Sequence, residues 1–457
     1  MRIFLRALIL CLPLLAPSVA QAEVRIVPPF DPADYADRAA VGLLVPGAGP
    51  EVTREGAVAA LVRGKLEHDL LGGRPTGPPL IELDRSGGDG VILVSLPPPG
   101  RSTNDRRYPI AWIGGEGLLT SSSTRIPGLV SITDIATGRL TTTPSNDPVA
   151  TLERLDHRID RNDRLRLPLT ILLVTLVIAL ALVRPRLALR ALLVALAANL
   201  WLDPVLAATA GIAAVVLPLG LAGAALVFAY LISMGLDPEA VALSPFGPSQ
   251  SGRFYGINNL LETMLLAPAL VAAALLGRSG VLVGVLALVT VGGNRFGADG
   301  GGLVVLAVAY LVLGFRLREI RPTPRVLAAV AAGVVALALA VLALDAVTGG
   351  ESHVTRAVGD GPVALAGDLA DRLELSVRRT AASPGATAIV LAGLMLLGLI
   401  AVRSPRRPLL DALLAGLAVS LVVNDTPADV VAVGAAVALA LIRAPQTVAA
   451  ESSAGSG

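Results

Sequence analysis

Apolar and polar positions fall into two regimes that meet near residue 165. From Leu167 onward, apolar stretches follow one another at 167–183, 187–202, 205–218, 220–236, 256–276, 280–293, 302–315, 326–346, 386–402, 409–423 and 428–443. Stretches that are apolar on every helical face predict membrane helices rather than the one-sided helices of a soluble core. The pattern predicts a polytopic all-α bundle over 166–444 with about eleven transmembrane helices, some short against the ~20 residues of an untilted crossing. One or two of these are expected to re-enter rather than cross. Pro218 and Gly220 leave 205–218 and 220–236 open to being one broken helix.

Residues 23–165 read differently. Short β-type runs at 41–45, 91–96, 110–113 and 129–132 alternate with turns rich in Gly, Pro, Ser and Asn. A helix is predicted over 53–71, capped by Thr53, with Ala57, Leu61 and Leu66 on one face. A second is predicted over 148–160, where Leu152, Leu155 and Ile159 recur at helical spacing. The expectation is a small α/β domain, large enough to bury one core.

Composition sharpens this picture. The 457 residues are 54% hydrophobic and 16% charged, and mean hydropathy is +0.72, which excludes an ordinary soluble protein. The net charge of +2 says little about partners. No basic stripe with interleaved aromatics appears, so no nucleic-acid partner is expected. Lys65 is the only lysine, a bias expected of a GC-rich bacterial genome.

The first 22 residues have the form of a secretory signal: Arg2 and Arg6, an apolar run over 7–17, and Ala20-Gln21-Ala22 as a cleavage site. An uncleaved signal anchor is the competing reading. The lone cysteine, Cys11, lies inside this segment, so the mature chain would have no disulfide, thiol nucleophile or cysteine metal site.

An exported 23–165 domain sets the orientation. Counting spans onward places Arg184, Arg186, Arg190, Arg278, Arg316, Arg318, Arg321, Arg325, Arg403, Arg406, Arg407 and Arg443 on the cytoplasmic side. That is the arrangement the positive-inside rule requires. The expected location is the inner or plasma membrane, with the N-terminal domain extracytoplasmic and a disordered cytoplasmic tail over 445–457.

In this orientation four polar groups fall on the outer side. They are Ser251 to Asn259 with Glu262 one turn further on, Gly293 to Gly301, Ser352-His353 with Arg356, and Asn424-Asp425. Arg253, Arg295 and Arg356 run against the inward bias. An arginine near hydrocarbon costs on the order of 2–3 kcal/mol and calls for a carboxylate or an anionic ligand. Asn258 and Glu262, at i and i+4, are expected to face the same way. The candidate ligand-binding set is therefore Arg253, Tyr255, Asn258, Asn259, Asn294, Arg295, Asp299, Arg356, Asn424 and Asp425, with Glu262 and His353 as candidate acid or base.

Each member also has a plain reading. Arg295 pairs with Asp299 across a tight loop, Arg253 pairs with Glu262 or Asp237, His353 is solvated, and Asn424-Asp425 is a turn. Asp299, Asp425, Glu262 and His353 have no metal-ligand spacing, and neither a metal nor another cofactor is expected. An amphipathic stretch over 362–379 sets Leu365, Leu369, Leu373 and Val377 against Asp368, Asp371, Glu374 and Arg378. It is expected either to lie on the bilayer surface and roof the site, or simply to connect two spans.

The motifs Gly252 to Asn259, Gly297-Ala-Asp-Gly-Gly301, Ser352-His353 with Arg356, and Asn424-Asp425 resemble signatures of uncharacterised multispanning membrane proteins of actinobacteria and related Gram-positive bacteria. The resemblance covers most of 240–430 and implies no particular activity. Pro127 to Ala136 is similar, more weakly, to the closing strand and turn of alkaline-phosphatase-superfamily domains. That chemistry needs a Thr or Ser nucleophile with Asp and His ligands. Here only His68 and His157 are present, and the first strand ends in Val45-Pro-Gly-Ala-Gly49 without an Asp. The resemblance thus implies a degenerate, non-hydrolytic domain, with an unrelated α/β domain as the alternative.

These readings converge on a cell-envelope membrane protein that binds or processes an anionic or lipid-linked precursor at the outer leaflet. The expected partners are membrane lipids, that precursor and envelope proteins. A non-catalytic assembly or scaffold protein is one alternative. A transporter or flippase is another, disfavoured by the scarcity of polar residues in 280–293, 326–346 and 386–402.

Overall fold

The computed structural model describes residues 23–47, 51–63, 90–136, 138–248, 254–293, 295–321, 323–325, 328, 373–381 and 383–443. It resolves into two compact units, one formed by 1–160 with 250–254, the other by 161–249 with 255–457. The proposed signal, Cys11, Lys65, His68, all of the span 326–346 except Ala328, and the tail lie outside the described residues.

In the first unit, strands β1 (Glu23–Ile26), β2 (Ala39–Val45), β4 (Val91–Val94), β6 (Tyr108–Ile113), β7 (Leu118–Ser121), β8 (Leu129–Ser131) and β9 (Leu140–Thr143) form one mixed sheet. Its order is β1-β4-β6-β2-β7-β9, with β8 also paired to β2. β2 is antiparallel to β6 and parallel to β7 and β8. Every residue of β2 is buried, which is why it reads as an unbroken apolar run rather than an alternating one. A second sheet pairs β3 (Glu51–Thr53) with β5 (Arg101–Thr103).

Helix α1 (Arg54–Arg63) lays Ala57 and Leu61 into a core with Leu44, Ile92, Ile110 and Leu119. The Thr53 hydroxyl accepts from Gly56 N at 3.0 Å, capping the helix where the sequence places its start. The remainder of the predicted 53–71 helix lies outside the described residues. Residues 127–136 fold as β8 followed by the one-turn helix α2 (Ile132–Ala136).

Helix α3 (Pro148–Val183) unites the predicted 148–160 helix with the first apolar stretch, Pro168 included. Asp147 caps its start, and Leu152, Leu155 and Ile159 are buried at the predicted spacing. Arg107 reaches this helix from the sheet, with its side chain 5% exposed, and pairs with Asp156 at 2.6 Å and with Asp160.

Among its described residues the second unit is built of helices: α4 (Pro185–Asn199), α5 (Pro204–Val216), α6 (Leu219–Leu236), α7 (Pro238–Ala242), α8 (Asn259–Leu275), α9 (Ser279–Gly292), α10 (Gly300–Leu317), α11 (373–381), α12 (Pro384–Arg403), α13 (Pro408–Val423) and α14 (Pro427–Arg443). Proline opens α4, α5, α7, α12 and α13 in the first turn, where its missing N–H is not needed. The chain turns at Leu217–Pro218, so α5 and α6 are two helices. Arg190 settles that turn by donating to the carbonyls of Ala214, Val215 and Leu217.

Among the described residues four helices are long and apolar enough to cross a membrane: Pro148–Val183, Leu219–Leu236, Gly300–Leu317 and Pro384–Arg403. Pro204–Val216, Asn259–Leu275, Ser279–Gly292 and Pro408–Val423 are shorter apolar helices. Among the described residues, helices of crossing length are fewer than the eleven expected stretches, and nearly all of 326–346 lies outside the described residues. Caps at Asp203, Asn258 and Arg407, and prolines and glycines at the breaks, cut several apolar stretches to 13–17 residues. At 1.5 Å per residue these fall short of a ~30 Å hydrocarbon layer.

α8 is the axis of the unit. Each residue from Leu260 to Ala272 is buried, and the helix packs on α6, α9, α10, α13 and α14. Gly223 lets α6 approach closely, because a Cβ there would lie 2.6 Å from the Pro268 carbonyl. α10 runs antiparallel to α13: its start meets Asn424, and its last turn meets α13's first through Arg316 and Asp411 at 2.7 Å. At that arginine-rich end Arg406 also reaches Asp411, and Arg407 donates to the Ile442 carbonyl.

Candidate functional site

Polar side chains gather where α8 and α10 begin and where α13 passes into α14. The turn before α8 is held by Gly256, at φ +81, whose Cβ would lie 2.1 Å from the Gly297 carbonyl. Only glycine satisfies both conditions. Ile257 N donates to that carbonyl at 2.9 Å, and Asp299 N donates to the Val291 carbonyl at 3.0 Å. The Gly293–Asp299 loop is thus fixed on one side to α9 and on the other to the turn that starts α8.

Asn258 caps α8. Its Oδ1 accepts from Leu261 N at 2.9 Å, while its Nδ2 donates to the Gly247 carbonyl at 2.9 Å. Asp299 caps α10, with Oδ1 accepting from Gly302 N at 3.0 Å. Glu262, in the first turn of α8, is 1% exposed. Its Oε2 accepts from Asn424 Nδ2 at 2.6 Å, and the same amide group donates to Ser420 Oγ at 2.8 Å. Glu262 Oε1 and Asn424 Oδ1 are buried without a hydrogen-bond partner.

Two adjacent glycines frame this centre. A Cβ on Gly302 would stand 2.9 Å from both Asp299 Oδ2 and Glu262 Cγ. One on Gly301 would stand 2.9 Å from Asn424 Oδ1 and 3.4 Å from Asp299 Oδ1. Glu262, Asp299 and Asn424 therefore converge on the start of α10, and the missing side chains leave room for them to do so.

A second layer lies beside the first. Asn259 Nδ2 donates to Asp425 Oδ1 at 2.8 Å, and Arg379 Nη1 lies 2.9 Å from Asp425 Oδ2. Ser376 Oγ donates to the Asn424 carbonyl at 3.0 Å. Residues 373–381 are thereby anchored to the α13–α14 turn, with Leu375 and Ser376 buried and Leu373 and Val377 left exposed.

The structure thus brings together Asn259, Glu262, Asp299, Asn424 and Asp425. Asn258 lies one residue away but turns to its capping and Gly247 contacts, so the residue that meets Glu262 is Asn424 rather than its i−4 neighbour. An N-cap asparagine spends its carbonyl oxygen on the helix's own amides. Tyr255 is buried at 4% and Arg295 is exposed. Arg253, Asn294, His353 and Arg356 lie outside the described residues.

Sequence reasoning did not single out Arg379, Ser376 or Ser420. Ser420 stands four residues before Asn424, a spacing that signals a shared helix face. Among the described residues no group of three or more His, Cys, Asp and Glu side chains gathers as a metal site. A separate buried polar set, Asn199 with Tyr230 and the backbone of Leu196 and Phe246, closes on itself. An apolar crevice lined by Leu189, Leu192, Leu219 and Pro268 lies apart from these polar centres.

Compared with known proteins, the chain matches no family, no curated protein and no solved structure.

Proposed function

We propose that the protein is an integral membrane protein of the bacterial cell envelope that binds an anionic or lipid-linked envelope precursor at the outer leaflet. One observation carries the reading: polar residues from four helix ends, separated in the chain by up to 166 residues, converge on a single centre. Ionisable groups placed in a membrane bundle are costly and mark functional sites by default. In this reading Arg253, Arg295 and Arg356 hold the anionic group, and residues 373–381 lie over the site with Leu373 and Val377 turned to lipid. Glu262 belongs to the interior of the site, since Asn424 and the α10 start enclose it. The orientation follows from the arginine-rich connections, which take the cytoplasmic side. The exported α/β domain is a non-hydrolytic module that recruits an envelope partner.

The test is mass spectrometry of lipids retained by the gently solubilised protein, comparing wild type with Arg253→Ala and Arg295→Ala. A polyprenyl-phosphate-type lipid retained by wild type and lost from both variants supports the reading. Bulk phospholipid alone, unchanged in folded variants, favours a scaffold.

A second reading has an observation of its own. Glu262 is 1% exposed inside the central helix α8, which suits a cation- or proton-coupled carrier. Reconstituted vesicles showing Glu262-dependent uptake driven by an ion gradient would select it.

A further inference from the structure

We infer that Glu262, Asp299 and Asn424 form a binding site for one hard divalent cation at the start of α10. This goes beyond the precursor reading, since the cation would bind whatever the precursor is.

The first ground is charge. Glu262 is bonded to Asn424 alone and to no arginine among the described residues. Asp299, 7% exposed, flanks the same point from the α10 cap. Taking an ionised carboxylate out of water costs several kcal/mol even after relaxation. A second carboxylate nearby raises that cost, and a divalent ion between them lowers it.

The second ground is unused oxygen. Glu262 Oε1 and Asn424 Oδ1 are buried and accept nothing. Asn424 is turned so that its nitrogen serves Glu262 Oε2 and Ser420, which leaves its oxygen beside Gly301. The place a Gly301 methyl would occupy lies 2.9 Å from Asn424 Oδ1 and 3.4 Å from Asp299 Oδ1. Two carboxylates and a carboxamide are an all-oxygen donor set. Such sets suit Mg²⁺, Ca²⁺ or Mn²⁺ rather than the softer metals that thiolates and imidazoles hold. Bonds from such oxygens to these ions span ~2.0–2.6 Å.

The experiment uses the full-length protein in detergent, stripped with chelator and titrated with MnCl₂, CaCl₂ or MgCl₂. Binding is read by Mn²⁺ paramagnetic resonance and by thermal unfolding. The variants are Glu262→Gln and Asp299→Asn, which keep shape, the latter also keeping the α10 cap acceptor. Wild type is expected to take up one Mn²⁺ per chain, displaced by Ca²⁺ or Mg²⁺, with a cation-dependent rise in Tm. Each variant, monodisperse and helical, should bind at least tenfold more weakly and lose the rise. Gly302→Ala, which crowds the site without removing an oxygen, gives a further check and should also weaken binding.

The assignment is overturned if wild type binds no Mn²⁺ saturably, or if folded variants bind as wild type does. It is overturned too if Glu262→Gln alone raises Tm with no cation dependence in wild type, the mark of a shared proton. Retained lipid, measured in the same samples, reports on the precursor reading independently of the cation result.

Discussion

Asn424 Nδ2 donates to Glu262 Oε2 over 2.6 Å, joining the end of α13 to the central helix α8 across 162 residues of sequence. Both residues are 1% exposed, so water does not substitute for the bond. Asn424→Ala should lower stability by about 1.5–3 kcal/mol, the usual worth of a hydrogen bond to a charged group. Its effect should be strongly non-additive with Glu262→Gln, because the two act on one contact. Thermal unfolding of both singles and the double checks this, and simple additivity would count against the pair.

Two glycines on one helix provide an internal control. Gly302→Ala places a methyl 2.6 Å from Val291 Cγ1 and 2.9 Å from Glu262 Cγ. It should destabilise by about 1–3 kcal/mol, the range for overpacking. Nothing lies within 4 Å of a Cβ on Gly314, so Gly314→Ala should be neutral or stabilising by about 0.5–1 kcal/mol. Equal Tm shifts would show that the α10 start is not tightly packed.

Arg379→Ala should release residues 373–381 from the α13–α14 turn. It removes the contact to Asp425 at 2.9 Å while leaving the helices beneath intact. The pair is about one-quarter to one-third exposed, so the global cost should stay near 1 kcal/mol or below. Hydrogen exchange should rise in 373–381 and not in α8. Unchanged protection there would mean that Ser376 and Leu375 hold the segment alone.

In the sheet unit, Arg107 spans Asp156 and Asp160 with its side chain nearly buried. Arg107→Lys should not rescue Arg107→Ala fully, because an ammonium cannot reproduce the planar two-partner geometry. Both should lower the first unit's unfolding temperature. A lysine variant as stable as wild type would refute the geometric argument.

The only native cysteine is Cys11, so topology can be read from single introduced cysteines. An impermeant maleimide applied to intact cells should label Thr103→Cys and leave Ser404→Cys untouched until the membrane is opened. The reverse pattern would invert the proposed orientation.

Apolar periodicity alone determined that a small α/β unit comes first and where most described helices of the second unit lie, whereas the boundary expected near 165 falls inside one continuous helix. These follow from local physics: unbroken apolar runs, proline at helix starts, and capping residues such as Thr53 and Asp147. Strands β1, β3, β5, β7 and β9 escaped because they are three or four residues long and contain polar residues, whereas β4, equally short, is wholly apolar. Runs of that length carry too few positions for period-two alternation to stand out. Residues 148–183 read as two elements because Pro168 and the charged stretch before it resemble a break, and the structure carries the helix through.

Asn259, Glu262, Asp299, Asn424 and Asp425 were visible as polar residues out of place in apolar surroundings. Their partners were not, because a hydrogen bond across 162 or 166 residues leaves no trace in local spacing. Only the tertiary structure turned Asn258 toward the α8 cap and Gly247, and brought Asn424 to Glu262. It also set Gly301 and Gly302 where the absence of a side chain lets three helix ends meet. The sequence supplied the polar groups, and the packing of α8 against α10 and α13 decided which of them touch.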